Sequence, residues 1–151
     1  MSATVHASAV LIGARAVLIR GPSGSGKSRL ALDLITAGRD GRLRFARLVG
    51  DDRVHLESAG GRLLVRPAST LAGLIEVRGA GIVRLDHESC AVVGLVVDLA
   101  ATDAERLPDK RPIEVEGIKI PRFAVAAGLE ALPGVLALLT SADVAIDVGP
   151  N

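Results

Sequence analysis

The stretch GPSGSGKS, residues 21–28, constrains this chain more than any other. A glycine, four residues and then Gly-Lys-Ser is the pattern of a loop whose backbone N–H groups wrap a phosphate, provided that a strand leads in and a helix leads out. Both flanks are present. AVLI at 16–19 reads as a strand, and SRLALDLITAG at 28–38 carries Leu30, Leu34 and Ile35 at helical spacing before Gly38, which reads as a stop. Gly24 and Gly26 free the backbone for close approach, Gly21, Pro22, Ser23 and Ser25 complete the loop, and the helix that follows adds a positive dipole. Lys27 offers a point charge to the terminal phosphates, and the Ser28 hydroxyl suits a Mg²⁺ ion bridging them. Lysine is otherwise scarce: of 18 basic residues only Lys27, Lys110 and Lys119 are lysines.

Around this loop the sequence predicts a mixed α/β fold rich in hairpins, forming one domain over residues 1–151. RLLV at 62–65, AVVGLVV at 91–97 and the alternating IEVEGIKI at 113–120 read as strands, Gly60 and Gly61 as a hairpin turn, and PGVLALLTSA near the C-terminus as a second helix. The net charge of +1 comes from scattered residues, so neither a nucleic-acid nor a membrane-surface partner is expected. The single cysteine, Cys90, excludes an internal disulfide and a multi-thiolate metal site, and reads as a core residue in a reducing compartment. Arg15 interrupts the apolar N-terminal patch and no cleavage site follows it. No apolar run reaches the roughly 18 residues a spanning helix needs. A cytoplasmic protein is expected.

A phosphate loop of this type needs a carboxylate near its metal, and two strand ends offer one: Asp51-Asp52 after ARLVG, and Asp98 after VVGLVV. Periodicity alone favours Asp98, whose apolar run is longer. The adjacent pair could instead divide metal contact from proton acceptance, or could be a solvated turn.

The order VHASAV with His6, LIRGPSGSGKSRLALDLI, LVGDDRV and LIEVRGAGIVRL resembles the catalytic domain of bacterial HPr kinase/phosphorylase, in a short form without the separate N-terminal domain. DDRV and IEVRGAGI are the most specific elements, and ERL at 105–107 follows the same order. The resemblance implies an α/β P-loop kinase fold of the HPr kinase and phosphoenolpyruvate carboxykinase-like type, a mixed sheet with hairpins. It implies ATP- and Mg²⁺-dependent phosphorylation of a serine on an HPr-like phosphocarrier protein, reversible by phosphorolysis, in a homo-oligomer, a hexamer in this family. It assigns residues 21–28 to the phosphates and Mg²⁺, Asp51 to proton acceptance from the serine, and Asp52 to the metal or to positioning. His6 would tune Asp51, Glu76 would assist the metal, and Arg78 and Arg106 would stabilise charge on the moving phosphoryl group. Rival readings are a small-molecule kinase, which would need an Arg-bearing lid that the sequence does not display, and a nucleotide-sensing module that transfers nothing.

Overall fold

A computed structural model describes residues 3–105 and 111–141, so Arg106 and the last residue of the second predicted helix lie outside the described residues. The chain opens with β1 (Thr4–His6), β2 (Ser8–Ile12) and β3 (Arg15–Arg20), then the phosphate-loop sequence and α1 (Lys27–Arg39). β4 (Ala46–Gly50), β5 (Arg53–Ala59) and β6 (Arg62–Pro67) follow, then a hairpin of β7 (Leu74–Val77) and β8 (Gly81–Arg84), and the long β9 (Ala91–Asp98). β10 (Ile113–Val115), β11 (Ile118–Ile120), β12 (Arg122–Ala124) and α2 (Leu132–Thr140) complete the described chain.

One sheet organises these pieces, in the order β1-β5-β6-β9-β3-β2-β4, with β12 beside the C-terminal half of β9. β3 and β12 run parallel to β9; the other pairings in this sheet are antiparallel. The central strand β3 is covered on both faces, which is why AVLI is an unbroken apolar run. Val17 and Ile19 join Leu30, Leu34 and Ile35 of α1 in one core, while Ala16 and Leu18 join Val54, Leu63 and Val65 in the other. β9 serves both cores by changing phase. Its register against β3 slips between Val93 and Leu95, leaving Gly94 as the extra residue of a bulge where a Cβ would stand 2.7 Å from Arg15 Cβ. Val93 therefore faces the second core, and Leu95 and Val97 face the first.

Three sequence expectations need correction. IEVEGIKI is not one strand: Glu116 and Gly117 adopt φ of 50° and 77°, a left-handed two-residue turn that folds it into the β10–β11 hairpin. Gly38 does not stop α1, which continues to Arg39; its side of the helix lies against β4, where a Cβ would approach Ala46 Cβ to 2.7 Å. Cys90 is exposed, in the loop before β9, rather than in the core. The Gly60-Gly61 turn between β5 and β6 agrees with expectation, with φ of 59° and 77°.

Candidate active site

Three strand ends meet at one edge of the sheet. β3 runs out at Arg20 into the phosphate loop, β4 runs out at Gly50 into Asp51, and the antiparallel β2 between them begins at Ser8, opposite Ile19. Gly24 and Gly26 sit in the left-handed region with φ of 80° and 99°, conformations that cost glycine little. α1 starts directly after them with no side-chain cap and no acidic residue in its first turn. Its free N–H groups and positive end are thus left for an anion.

Asp51 is the hub of this edge. Only 3% exposed, it accepts a hydrogen bond from Ser8 Oγ at 2.6 Å, contacts from Ser28 Oγ at 2.7 and 2.9 Å, and one from the Glu76 backbone N–H at 3.2 Å. Lys27 Nζ donates to the carbonyls of Gly21 at 2.8 Å and Pro22 at 3.1 Å, so its charge already lies across the mouth of the loop. Ser25 Oγ is buried and has no hydrogen-bond partner among the described residues. A buried hydroxyl left so costs about 1–3 kcal/mol, a cost that a partner supplied by a ligand would remove.

Asp52 differs from its neighbour in almost every respect. It lies in the bend between β4 and β5 at a φ of 66°, and 68% of its side chain is exposed. His6 stands beside it, Nδ1 3.9 Å from Asp52 Oδ1, with Nε2 2.9 Å from Arg53 Nη2. The histidine expected near Asp51 therefore has its described contacts with Asp52 and Arg53. Glu76 reaches the site through its backbone while its side chain is exposed. Arg78 is exposed in the turn between β7 and β8.

Asp98, which periodicity alone preferred, is committed elsewhere. Arg20 grips it with two hydrogen bonds at 2.7 and 2.8 Å, Arg122 Nε adds a third at 2.6 Å, and Arg122 also holds Asp103 at 2.8 and 3.0 Å. Burial works to raise the Asp98 pKa, but hydrogen bonds and charge from Arg20 and Arg122 outweigh it and hold the carboxyl below its ordinary value. Arg122 is correspondingly raised, first by its hydrogen bonds to Asp103 and then by those to Asp98. This network ties the ends of β3, β9 and β12 together beneath the loop.

Ser8 was missed by sequence reasoning. Its signal was a lone hydroxyl in the apolar run ASAVLI, which becomes informative only when pairing puts the start of β2 beside the end of β4.

The donor set fits a magnesium nucleotide. Ser28 and Asp51 present hard oxygens at one point beside the anion cradle, and Mg²⁺ is usually held by one or two protein oxygens with substrate phosphates and water. Among the described residues no cluster of three or more His, Cys, Asp or Glu forms an all-protein metal cage. Residues 1–126 match the family described as HPr Serine kinase C-terminal domain. The chain belongs to that family. In the HPr serine kinase C-terminal domain family, this chain is 36% identical over 135 residues to an HPr kinase/phosphorylase of Streptococcus thermophilus, covering 81% of the chain and 41% of that relative. It is 35% identical over 127 residues to one of Geobacillus kaustophilus, covering 77% and 38%. The chain thus spans about two fifths of the length of these relatives. Among solved structures it resembles the Hpr(Ser) kinase/phosphatase of Coxiella burnetii, with a TM-score of 0.73, 25% identity and coverage of 91% and 88% of the two chains. The fold is accordingly the P-loop kinase type of that catalytic domain. No helix among the described residues is long and apolar enough to cross a membrane.

Proposed function

We propose that this domain transfers the terminal phosphoryl group of ATP, as its Mg²⁺ complex, to a serine of an HPr-like phosphocarrier protein in the cytoplasm, releasing ADP, and removes that group again by phosphorolysis, in which inorganic phosphate accepts it to give pyrophosphate and the free serine. The observation that carries this reading is the contact of Ser28 with Asp51 at 2.7 Å, directly behind GPSGSGKS. It joins a phosphate cradle to a buried carboxylate at the point where a bridging cation would sit. Kinship with HPr kinase/phosphorylases supports the acceptor.

The chemistry divides the two aspartates in the opposite way to the sequence expectation. Asp51 has donors on both oxygens from Ser8, Ser28 and Glu76, which suits it to fix the loop serine and the metal. Asp52, exposed and beside His6, is open to an incoming protein hydroxyl and is the more accessible carboxylate for its proton. Mg²⁺, when bound, supplies charge neutralisation between the phosphates. Lys27 swings from the Gly21 and Pro22 carbonyls to the terminal phosphates, and the backbone N–H groups of Gly24 and residues 26–28 fix their orientation. The serine proton passes to Asp52, beside His6, which Arg53 holds in place. Glu76 and Arg78, exposed on the β7–β8 hairpin, stay assigned to the metal and to the phosphoryl charge, and Arg106 to the same charge.

Incubation with labelled ATP, Mg²⁺ and purified HPr-like proteins tests the reading: a phosphoserine on the carrier is expected. Tight ATP binding with no labelled protein would favour a nucleotide-sensing module instead.

A further inference from the structure

β1 and β5 are antiparallel neighbours, and their register sets His6 directly across from Arg53. The backbone pins this pair: Ala7 N–H donates to the Asp52 carbonyl at 3.2 Å, and Arg53 N–H to the Asp51 carbonyl at 2.7 Å. Side chains repeat the connection. Arg53 reaches back over β1 with both arms of its guanidinium, Nη1 donating to Thr4 Oγ1 at 3.1 Å and Nη2 lying 2.9 Å from His6 Nε2. The other ring nitrogen, Nδ1, faces Asp52 Oδ1 at 3.9 Å. We propose that Arg53 is a positioning residue that fixes the tautomer of His6, holding the ring proton on Nδ1 so that an N–H donor is presented to Asp52; the inference rests on the phosphotransfer reading above, in which Asp52 takes the serine proton.

The inventory of donors and acceptors carries it. A guanidinium has N–H donors only and stays protonated in proteins, so Nε2 at 2.9 Å from it can only accept. A neutral imidazole whose one nitrogen accepts carries its proton on the other. The proton therefore sits on Nδ1, toward Asp52. Both side chains are well exposed, at 63% for His6 and 68% for Asp52, so water would otherwise be free to choose the tautomer. Strand pairing makes the choice instead, because Thr4 and His6, two residues apart on β1, present their side chains to the same guanidinium.

The tautomer divides the work between His6 and Asp52. His6 does not compete for the serine proton, since its accepting nitrogen is occupied by Arg53. Its N–H is aimed at Oδ1 of Asp52, which leaves Oδ2 for the incoming hydroxyl. The 3.9 Å separation is longer than a hydrogen bond, and catalytic bonds of this kind are often long before substrate arrives and tighten in the complex. A ring with its proton on Nε2 would instead turn a lone pair toward the carboxylate and repel it.

Long-range ¹H–¹⁵N NMR of the wild-type chain tests the tautomer at about pH 8.5, above the usual range of imidazoles, with His6→Gln identifying the His6 signals. The expected spectrum shows a protonated Nδ1 and a bare Nε2, moving toward a protonated Nε2 in Arg53→Ala. A protonated Nε2 in the wild type, or the same tautomer in both proteins, overturns the proposal whatever the chain transfers. Turnover with labelled Mg-ATP and an HPr-like carrier gives the second readout. Arg53→Ala should lower kcat by about tenfold, less than loss of the acid or base itself, with the KM for Mg-ATP unchanged. Arg53→Lys, which keeps a donor, should recover most of that loss, and Arg53→Ala added to His6→Ala should cost nothing further. Additive losses overturn an action of Arg53 through His6. Absence of any phosphoserine with the wild type would overturn the phosphotransfer reading, and the spectrum would still decide the tautomer.

Discussion

Ser8 and Asp51, 43 residues apart in sequence, meet through a hydrogen bond of 2.6 Å inside the protein, at the junction of β2 and β4. Both are buried, and the carboxylate also holds Ser28 of the phosphate loop. Ser8→Ala removes one donor from a buried carboxylate. Hydrogen bonds to charged groups contribute about 1.5–3 kcal/mol, so a stability loss in that range is expected in urea unfolding, together with weaker Mg-ATP binding. A variant as stable as the wild type would show that Ser8 does not hold Asp51.

The two neighbouring aspartates should separate by phenotype. Asp51→Asn is expected to lose Mg²⁺-dependent nucleotide binding, because its oxygens face Ser28. Asp52→Asn should keep nucleotide binding and lose transfer to protein by roughly 10²–10⁴-fold, the usual worth of a positioned acid or base. His6→Ala should fall between, with reduced turnover. Titration calorimetry alongside a phosphoserine assay distinguishes these outcomes; full transfer by Asp52→Asn would return the base role to Asp51.

Lys27→Ala tests the cradle directly. Removing one preorganised charge from a phosphoryl-transfer site costs about 2.7–4 kcal/mol, or 10²–10³ in rate. The loss should appear in turnover while circular dichroism stays unchanged, since Lys27 bonds only to loop carbonyls among its described contacts.

Asp98 gives a pH-dependent expectation. Its native pKa lies below the ordinary value of 3.8, so it binds a proton less readily folded than unfolded. Its stabilisation is present above the unfolded value and is lost as the pH falls through the native one. Asp98→Asn is expected to cost about 2–3 kcal/mol at pH 7, below the ~3–5 of a fully buried pair because Arg20 and Arg122 keep some contact with water. The gap in unfolding free energy between wild type and variant should narrow on acidification below about pH 4.

Gly38→Ala sets two magnitudes against each other. Alanine is favoured in a helix by about 1 kcal/mol, whereas forcing a methyl into a packed contact costs about 1–3. With Ala46 Cβ 2.7 Å and Ala46 N 3.0 Å from the new atom, neither a flexible side-chain end, the clash should win. A lowered urea midpoint is the expected result; a raised one would mean that α1 and β4 separate easily.

The chain order alone determined the phosphate loop, because its chemistry is local: glycines, lysine, serine and the helix start lie within eight residues. It likewise determined the β5–β6 turn at Gly60-Gly61 and the strand through AVLI, each set by residues next to one another. Tertiary structure decided which carboxylate lies against the loop. Asp98 had the longer apolar run, yet β9 carries it to Arg20 and Arg122, while the pairing of β2 with β4 brings Asp51 to Ser28 and Ser8. It also decided that β9 changes faces at Gly94, that IEVEGIKI doubles back at Glu116-Gly117, and that His6 stands beside Asp52. The physical reason is the same in each case: strand register and bulges fix which side chains share an edge, and register follows from contacts between segments distant in sequence, which no local pattern encodes.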